Sequence, residues 1–452
     1  MAIDLRGKRV SVIGAGRSGV STAEVVKSLG GIPFVSDSAM LKDGELSRRL
    51  QALSIQTELG GHTERVCDSD MLIVSPGVPA NVDIIAKAKS RGIAVWPEIE
   101  LAYRLCRGRI LGITGSNGKT TTTALVGEIL KNAGYPTYVC GNIGFPFIAI
   151  ADEVPANGFA VVELSSFQLE QIEMFRPNVA VFLNLTPDHL DRHKDLDEYT
   201  SAKMRIFENQ KDSDTAVVNA DDQTLKRLCD HLQSKAVWFS TRSPSIEGVW
   251  ADPHGSIYLG KDALMKSSEL GLKGEHNLSN ACAAIAAAIS LGISRDSMVK
   301  TLKAFAGVEH RLEPVRLIGG VSFINDSKGT NIDSVHWALK AVSAPVILIA
   351  GGKDKGGDFT ALIDLVAQKV KLAILIGQAT TKIETAWKNI TKCVRAGTME
   401  EAVAVSYASS SPGDTVLLSP GCASFDMFDN YEHRGRIFKK AVLELKSRVE
   451  DA

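Results

Sequence analysis

Residues 110–131 prescribe a strand, a glycine-rich turn and a helix, in that order. The apolar residues Ile110, Leu111 and Ile113 lead through Thr114-Gly115-Ser116-Asn117-Gly118-Lys119-Thr120-Thr121-Thr122 into a segment of helical period at 123–131. A turn of this kind between a buried strand and a helix belongs to a parallel α/β sheet. Its backbone N–H groups, with those of the helix N-terminus, converge on an anion. Lys119 adds a cation, and the Thr120 hydroxyl is placed to reach Mg²⁺. The usual phosphate-loop pattern has glycine five places before Gly118. Here Ile113 stands there, with glycines at 112 and 115 instead, so the generic nucleotide-hydrolase loop is the poorer match.

Length and composition narrow the class. A chain of 452 residues is long enough for about three domains with ample cores. Apolar residues make up 44% and charged residues 23%, as in ordinary soluble globular proteins. The formal net charge of -1 offers neither the basic surplus that nucleic acid attracts nor an acidic tail. Cysteines 67, 106, 140, 229, 282, 393 and 422 are scattered without a C-x-x-C pair, which reads as thiols in a reducing cytosol. No apolar signal segment precedes the first expected strand. The most apolar helical stretch, 281–293, is too short to span a bilayer. The expectation is a soluble, cytoplasmic chain with no membrane segment and no nucleic-acid partner.

Apolar, β-branched runs alternate with segments of helical period along the whole length. The fold class this predicts is α/β, with three consecutive Rossmann-like or P-loop-type domains built on mainly parallel sheets. Strands are expected near 9–13, 32–36, 71–74 and 93–96 in the first domain (1–98). The second (99–307) should hold strands at 109–113, 159–164, 179–185 and 215–219, with an inserted hairpin at 249–260. The third (308–452) should hold strands near 321–324, 345–350, 371–376 and 414–419.

A second glycine cluster, Gly14-Ala15-Gly16-Arg17-Ser18-Gly19, follows the first strand, and Asp37 ends the next one. This is the dinucleotide fingerprint, and alone it favours an NAD-dependent oxidoreductase. The physics asks only for a diphosphate near a helix N-terminus with polar groups beyond it. A UDP moiety satisfies that equally well. In the central domain, Glu163 closes the run Val161-Val162-Glu163, where a carboxylate can hold Mg²⁺ against phosphates. The loop Asn184-Leu185-Thr186-Pro187-Asp188-His189-Leu190-Asp191-Arg192-His193 is dense in proton- and metal-handling groups, and His189 follows a strand end there. Lys203 has no spacing that singles it out.

Taken together these residues resemble the Mur ligase family. The variant loop T-G-S-N-G-K-T at 114–120 is similar to that of the Mur ligases and folylpolyglutamate synthases. The resemblance extends through E-L-S-S-F-Q (163–168), 184–193, G-E-H-N-L-S-N (274–280), V-E-H-R-L-E (308–313), N-D-S-K-G-T-N (325–331) and 419–435. The S-S-F-Q-L run and the tail C-A-S-F-D-M-F-D-N-Y-E-H-R-G are similar to the members that add D-glutamate.

The resemblance implies a residue map. Gly115, Ser116, Asn117, Gly118, Lys119, Thr120 and Thr121 would bind ATP phosphates, Asn277 the adenine, and Arg311 and Asp326 the ribose and phosphates. Two Mg²⁺ ions would be held by Thr120 and Glu163, and by His189 with Lys203 as a carbamate. Lys119, His189 and Lys203 would be the catalytic set. Arg17, Ser18, Asp37 and Ser38 in the first domain would face UDP, with Asn142 and Ser165 along the muramoyl substrate. Lys328, Thr330, Lys355, Ser424 and Tyr431 in the third would surround the incoming glutamate, with Lys355 chosen over Lys353 by spacing.

The implied reaction activates the carboxylate of UDP-N-acetylmuramoyl-L-alanine as an acyl phosphate, which the amine of D-glutamate then attacks, releasing ADP and phosphate. A monomer working on small-molecule substrates is expected, its third domain closing on ATP. The rivals are another Mur ligase, a folylpolyglutamate synthase, a non-catalytic sugar-nucleotide sensor and the NAD-dependent oxidoreductase. The last leaves Lys119, Glu163 and His189 idle.

Overall fold

A computed structural model describes residues 3–40, 44–79, 81–142, 144–188, 192–242, 248–272 and 274–446. The strands of the first sheet are β1 (Arg9–Ile13), β2 (Ile32–Asp37), β3 (Gln56–Leu59), β4 (Met71–Val74) and β5 (Ala94–Pro97). They pair in the order β3-β2-β1-β4-β5, all parallel. The inner strand β4 (Met-Leu-Ile-Val) is buried at every position, the pattern of a strand covered on both faces. The chain leaves β1 outward to β3 and returns on the other side at β4. The loop after β1 therefore lies where the winding reverses, the usual place for a ligand.

The second sheet repeats this logic. Its strands are β6 (Arg109–Thr114), β7 (Thr137–Gly141), β8 (Phe159–Glu163), β9 (Val179–Phe182), β10 (Thr215–Asn219), β11 (Lys235–Ser240), β12 (Gly248–Ala251), β13 (Ser256–Leu259) and β14 (Asp262–Lys266). The order β14-β13-β12-β11-β10-β9-β6-β8-β7 puts β6 between β9 and β8, so the loop at 114–118 occupies the second reversal point. The expected hairpin at 249–260 is present as antiparallel β12 and β13. It extends the sheet through parallel pairing of β12 with β11, and β14 lengthens it. The helix expected at 281–293 runs over Glu275–Ser290, beginning in a polar turn that apolar period does not mark.

The third sheet holds β15 (Glu313–Ile318), β16 (Val321–Asn325), β17 (Val346–Gly351), β18 (Val370–Ile376), β19 (Lys392–Arg395) and β20 (Thr415–Leu418). Its order is β15-β16-β20-β17-β18-β19, parallel except for the antiparallel edge strand β15.

These elements form two compact units. One comprises Met1–Leu185, Asp197–Glu269 and Ser279–Leu302; the other comprises Thr186–Leu196, Leu270–Leu278 and Lys303–Ala452. In the first unit a single apolar cluster runs from Val10 and Val12 through Ile99, Leu101 and Ala102 to Ile148, Val162 and Phe182, joining the first two sheets. The helix Glu98–Leu105 lies in that cluster and carries two buried carboxylates. Glu100 pairs with Arg104 at 3.0 Å and accepts the backbone N–H groups of Glu173, Met174 and Phe175. Glu98 accepts the N–H of Ile148 at 2.9 Å.

In the second unit consecutive residues of the third sheet face opposite layers. Ile347 and Ile374 join Phe323 and Phe438 on one side, while Leu348 and Leu375 join Phe359 and Trp387 on the other. The seven cysteines are free thiols. Among the described residues no helix is long and apolar enough to cross a membrane.

Burial pushes the Glu98 carboxyl up to about 7 from its ordinary 4.5, against the pull of the Ile148 N–H. Between those values the folded protein keeps a proton that the unfolded chain has released, so this group's contribution to stability falls as pH rises through 7. Glu98→Gln removes the buried charge and keeps the shape. The variant is expected to be more stable than the parent at pH 8, by up to about 3 kcal/mol, and nearly equal to it at pH 4. Urea unfolding at the two pH values measures this, and a difference independent of pH would show that Glu98 does not titrate there.

Candidate functional site

The loop after β6 is held by one residue. The carbonyl and Oδ1 of Asn184 accept the N–H groups of Ser116 (3.0 Å) and Asn117 (2.8 Å), and its Nδ2 donates to the Asn117 carbonyl at 3.0 Å. Gly118 caps the helix Lys119–Asn132 with φ 83°, a conformation that favours glycine. A Cβ at Gly118 would also lie 2.2 Å from Asn280 Oδ1. The Lys119 ammonium folds over the loop and donates to the carbonyls of Gly115 (2.8 Å) and Ser116 (2.7 Å). Thr120 and Thr121, both buried, start the helix whose first N–H groups open toward the loop.

Lys203 joins the same loop. It is 1% exposed, and its Nζ donates to the Gly115 carbonyl at 3.0 Å and to Thr114 Oγ1 at 3.3 Å. The ammonium also lies 4.7 Å from the Tyr199 ring centroid, and the Tyr199 hydroxyl is 3.2 Å from Ser116 Oγ. Glu163 ends β8 in register with Ile113 of β6, so its carboxylate emerges beside the start of the loop. Its Oε1 accepts from Asn142 Nδ2 at 2.9 Å. His189 lies outside the described residues.

The glycine loop after β1 opens onto a cavity of about 530 Å³. Arg17, Ser18, Asp37, Ser38 and Asn142 all line it. A Cβ at Gly19 would meet the Gly14 carbonyl at 1.8 Å, so the turn closes this tightly only around glycine. The Asp37 carboxylate ties two loops together, accepting the N–H of Ala15 at 2.6 Å and of Ala39 at 2.8 Å. Ser165 stands one step back. It caps the short helix Ser166–Leu169 in a capping box with Gln168, and Gln168 is the member of that pair lining the cavity.

The remaining candidate residues belong to the second unit. Arg311 lies between His310 (φ 65°) and Leu312 (φ 45°), both left-handed, in a strained turn. Asp326 is buried and accepts from Leu312 N–H (3.3 Å) and Ser419 Oγ (2.8 Å). Burial raises its carboxyl to about 6, against the attraction of Arg311. Next to Asn277, burial and the charge of Arg311 push the His276 imidazole down to about 4, which keeps it neutral. Lys328 donates its N–H to the His310 carbonyl at 3.1 Å, and its Nζ lies 5.0 Å from the Tyr431 ring centroid. Thr330 is half-buried two residues on. Lys355 pairs with Asp188 at 3.4 Å, and Lys353 is exposed.

Sequence reasoning passed over several residues that the geometry brings in. His62, Ser75 and Gln168 line the cavity of the first unit. Asp188 takes both Lys355 and the Asn331 amide (3.0 Å). Arg434, fully buried, binds Ser327 Oγ and O and the carbonyls of Cys422 and Ala423, which fixes the segment carrying Ser424 beside that carrying Lys328. Its signal was the charge inside the tail H-R-G, and His62 followed a strand too short to notice. Glu309, His310 and Glu313 approach one another closely enough to share a cation. Lys439 already pairs with both carboxylates, at 2.9 and 2.6 Å, so this cluster is structural.

Comparison with known proteins agrees with this geometry. The chain matches the N-terminal domain of MurD-like Mur ligases over residues 8–96, the Mur ligase middle domain over 113–288 and the Mur ligase glutamate ligase domain over 310–422. It is 46% identical to the UDP-N-acetylmuramoylalanine–D-glutamate ligase of Alkaliphilus oremlandii (strain OhILAs), covering 98% of this chain and 100% of that one. The enzyme of the same name from Koribacter versatilis (strain Ellin345) is 42% identical over 98% of this chain and 99% of its own. Among solved structures, UDP-N-acetylmuramate-alanine ligase MurC from Thermotoga maritima superimposes with a TM-score of 0.63 at 20% identity, covering 97% of this chain and all of that one. The MurF ligase from Thermotoga maritima in complex with ADP gives 0.61 at 16% identity, over 98% and 96% of the two chains. The chain belongs to the Mur ligase family, among relatives named UDP-N-acetylmuramoylalanine–D-glutamate ligase.

Proposed function

We propose that this chain joins D-glutamate to UDP-N-acetylmuramoyl-L-alanine at the expense of ATP, in the synthesis of peptidoglycan precursors. The whole-length match to relatives of that name carries the reading. On it, residues 1–98 take the UDP substrate, 99–307 take ATP and 308–452 take the amino acid, in a cytoplasmic monomer.

The chemistry starts from a carboxylate that must approach a phosphate of like charge. Lys119 offsets that repulsion by exchanging the carbonyls of Gly115 and Ser116 for phosphate oxygens, and the loop N–H groups share the load. The residues present suit Mg²⁺: a hydroxyl in the first helical turn (Thr120) and a carboxylate on the adjacent strand end (Glu163) form an oxygen donor set. In such a site Mg²⁺ supplies further neutralisation of the phosphate oxygens. We further propose that Lys203 works as a carbamate, since an anion in its place would complement that ion where an ammonium opposes it. The alanyl carboxylate takes the γ-phosphoryl group, giving an acyl phosphate and ADP. Lys328 and Lys355 orient the carboxylates of glutamate, and its deprotonated amine attacks the acyl carbon and expels phosphate.

Phosphate release from ATP with UDP-N-acetylmuramoyl-L-alanine tests the reaction, with D-glutamate, L-glutamate, L-lysine and meso-diaminopimelate compared. Release with D-glutamate alone is expected, and release with none of the four would overturn the proposed reaction. Lys203→Ala should abolish ligation and regain part of it when short-chain carboxylates are added. Normal turnover in that variant would end the carbamate assignment. Gly118→Ala forces a Cβ against Asn280 and should weaken ATP binding about tenfold or more, read by calorimetry on a variant whose melting shows it folded.

A further inference from the structure

We infer that Glu98 is a positioning residue of the substrate cavity, holding the Gln168 amide in the one orientation that anchors Ser165 beside the sugar end of the nucleotide. This rests on the reading that the 530 Å³ cavity of the first unit takes a UDP-sugar substrate.

Glu98 stands behind the cavity wall, where two lining residues, Pro146 and Gln168, belong to the segments that meet its carboxyl. Pro146 caps the short turn Phe147–Ala149, whose Ile148 N–H is accepted by Glu98 Oε1 at 2.9 Å. The Gln168 amide is the side chain that draws the carboxyl toward ionisation. Glu98 and Gln168 are both buried, and among the described residues Glu98 Oε2 has no hydrogen-bond partner.

The amide has one accepting end, and Ser165 occupies it. Gln168 Oε1 accepts the Ser165 N–H at 3.0 Å and the Ser165 hydroxyl at 3.1 Å, while the backbone N–H of Gln168 donates to Ser165 Oγ at 3.3 Å. A backbone N–H cannot accept, so the amide cannot turn over and keep Ser165. Its Nε2 is therefore directed away from Ser165, and a carboxylate at Glu98 suits that donor. A protonated Glu98 does not. Oε1 is engaged by the Ile148 N–H, so the proton sits on Oε2, and an O–H then confronts an N–H. The amide restores the match by turning, which releases Ser165. The influence is reciprocal: Gln168 favours the carboxylate, and the carboxylate holds Gln168.

The balance lies near neutrality. Burial raises the Glu98 carboxyl to about 7, against the hydrogen bonding of Ile148 and Gln168. Among the described residues no charged side chain acts on it. The titratable group that faces it is the Cys140 thiol of β7, which burial keeps protonated. A substrate that bonds to the anchored wall favours the ionised acid, so its affinity rises as pH rises through 7. Glutamine at this position behaves as the acid does at every pH. Its carbonyl takes the Ile148 N–H, and its NH2 confronts Gln168. The carboxylate that weakens the fold at pH 8 thus strengthens the site.

Calorimetry on the full chain at pH 6 and pH 8 would compare UDP-N-acetylmuramoyl-L-alanine with UDP, which lacks the sugar end. In the parent the ratio of the two affinities should rise about 3- to 10-fold between pH 6 and pH 8, and groups that titrate around UDP itself cancel in that ratio. In Glu98→Gln the ratio should stay near the parent's pH 6 value at both. Gln168→Ala leaves the buried acid in place and should abolish the rise as well, and the double variant should lose no more than Gln168→Ala alone. A Glu98→Gln protein with the parent's ratio at pH 8, or a rise that persists in either variant, would overturn the assignment while leaving the cavity as the substrate site. A ratio independent of pH in the parent would overturn it in the same way. Binding of neither nucleotide to the parent would overturn the cavity reading and this inference with it.

Discussion

Lys119 and Lys203 reach the same carbonyl oxygen, that of Gly115, one from the helix that opens at the loop and one from far along the chain. Two ammonium groups drawn to one acceptor repel each other in a setting where water screens them little. The sheet tolerates this because β6 lies between β9 and β8, which brings the loops after all three strands to one edge. Asn184 from the loop after β9 fixes the backbone of 116–117, and Glu163 from β8 supplies the nearby negative charge. The carbamylation proposed for Lys203 would remove that repulsion and leave Lys119 as the ammonium of the loop.

The two glycine clusters show how far motif physics goes. Gly14 to Gly19 with Asp37 satisfies the dinucleotide pattern in every residue. The structure adds that the Asp37 carboxylate ties down Ala15 and Ala39, and that the cavity wall continues into Asn142 and Gln168 of the next sheet. The proposed sugar nucleotide, whose far end must reach the phosphate loop, gives that continuation of the wall a use.

The strands buried on both faces were legible because each reads as an unbroken apolar run: β4 as Met-Leu-Ile-Val, β17 as Val-Ile-Leu-Ile-Ala. Edge strands were not. The side chains of β3, Gln-Thr-Glu-Leu, are none of them fully buried, and β15 contains Pro314 and a register shift. Missing β3 concealed the placing of His62. The phosphate loop was legible from spacing alone, since strand, turn and helix are local. Lys203, Arg311 and Tyr431 were not, because what distinguishes them is who faces them across long stretches of chain. Resemblance supplied those three, and the contacts of Lys203 with Gly115 and of Lys328 with Tyr431 give two of them a physical setting.

Glu100 gathers three backbone N–H groups of the second sheet's unit onto a helix that begins where the first sheet ends, and one apolar cluster runs through that join. The cavity beside it therefore has walls from two sheets that were fixed together when the chain folded. Where the walls of a site move independently, binding also carries the cost of ordering them. Here the two sheets share one apolar cluster, so on the proposed reading a sugar nucleotide enters a cavity whose walls were ordered by folding.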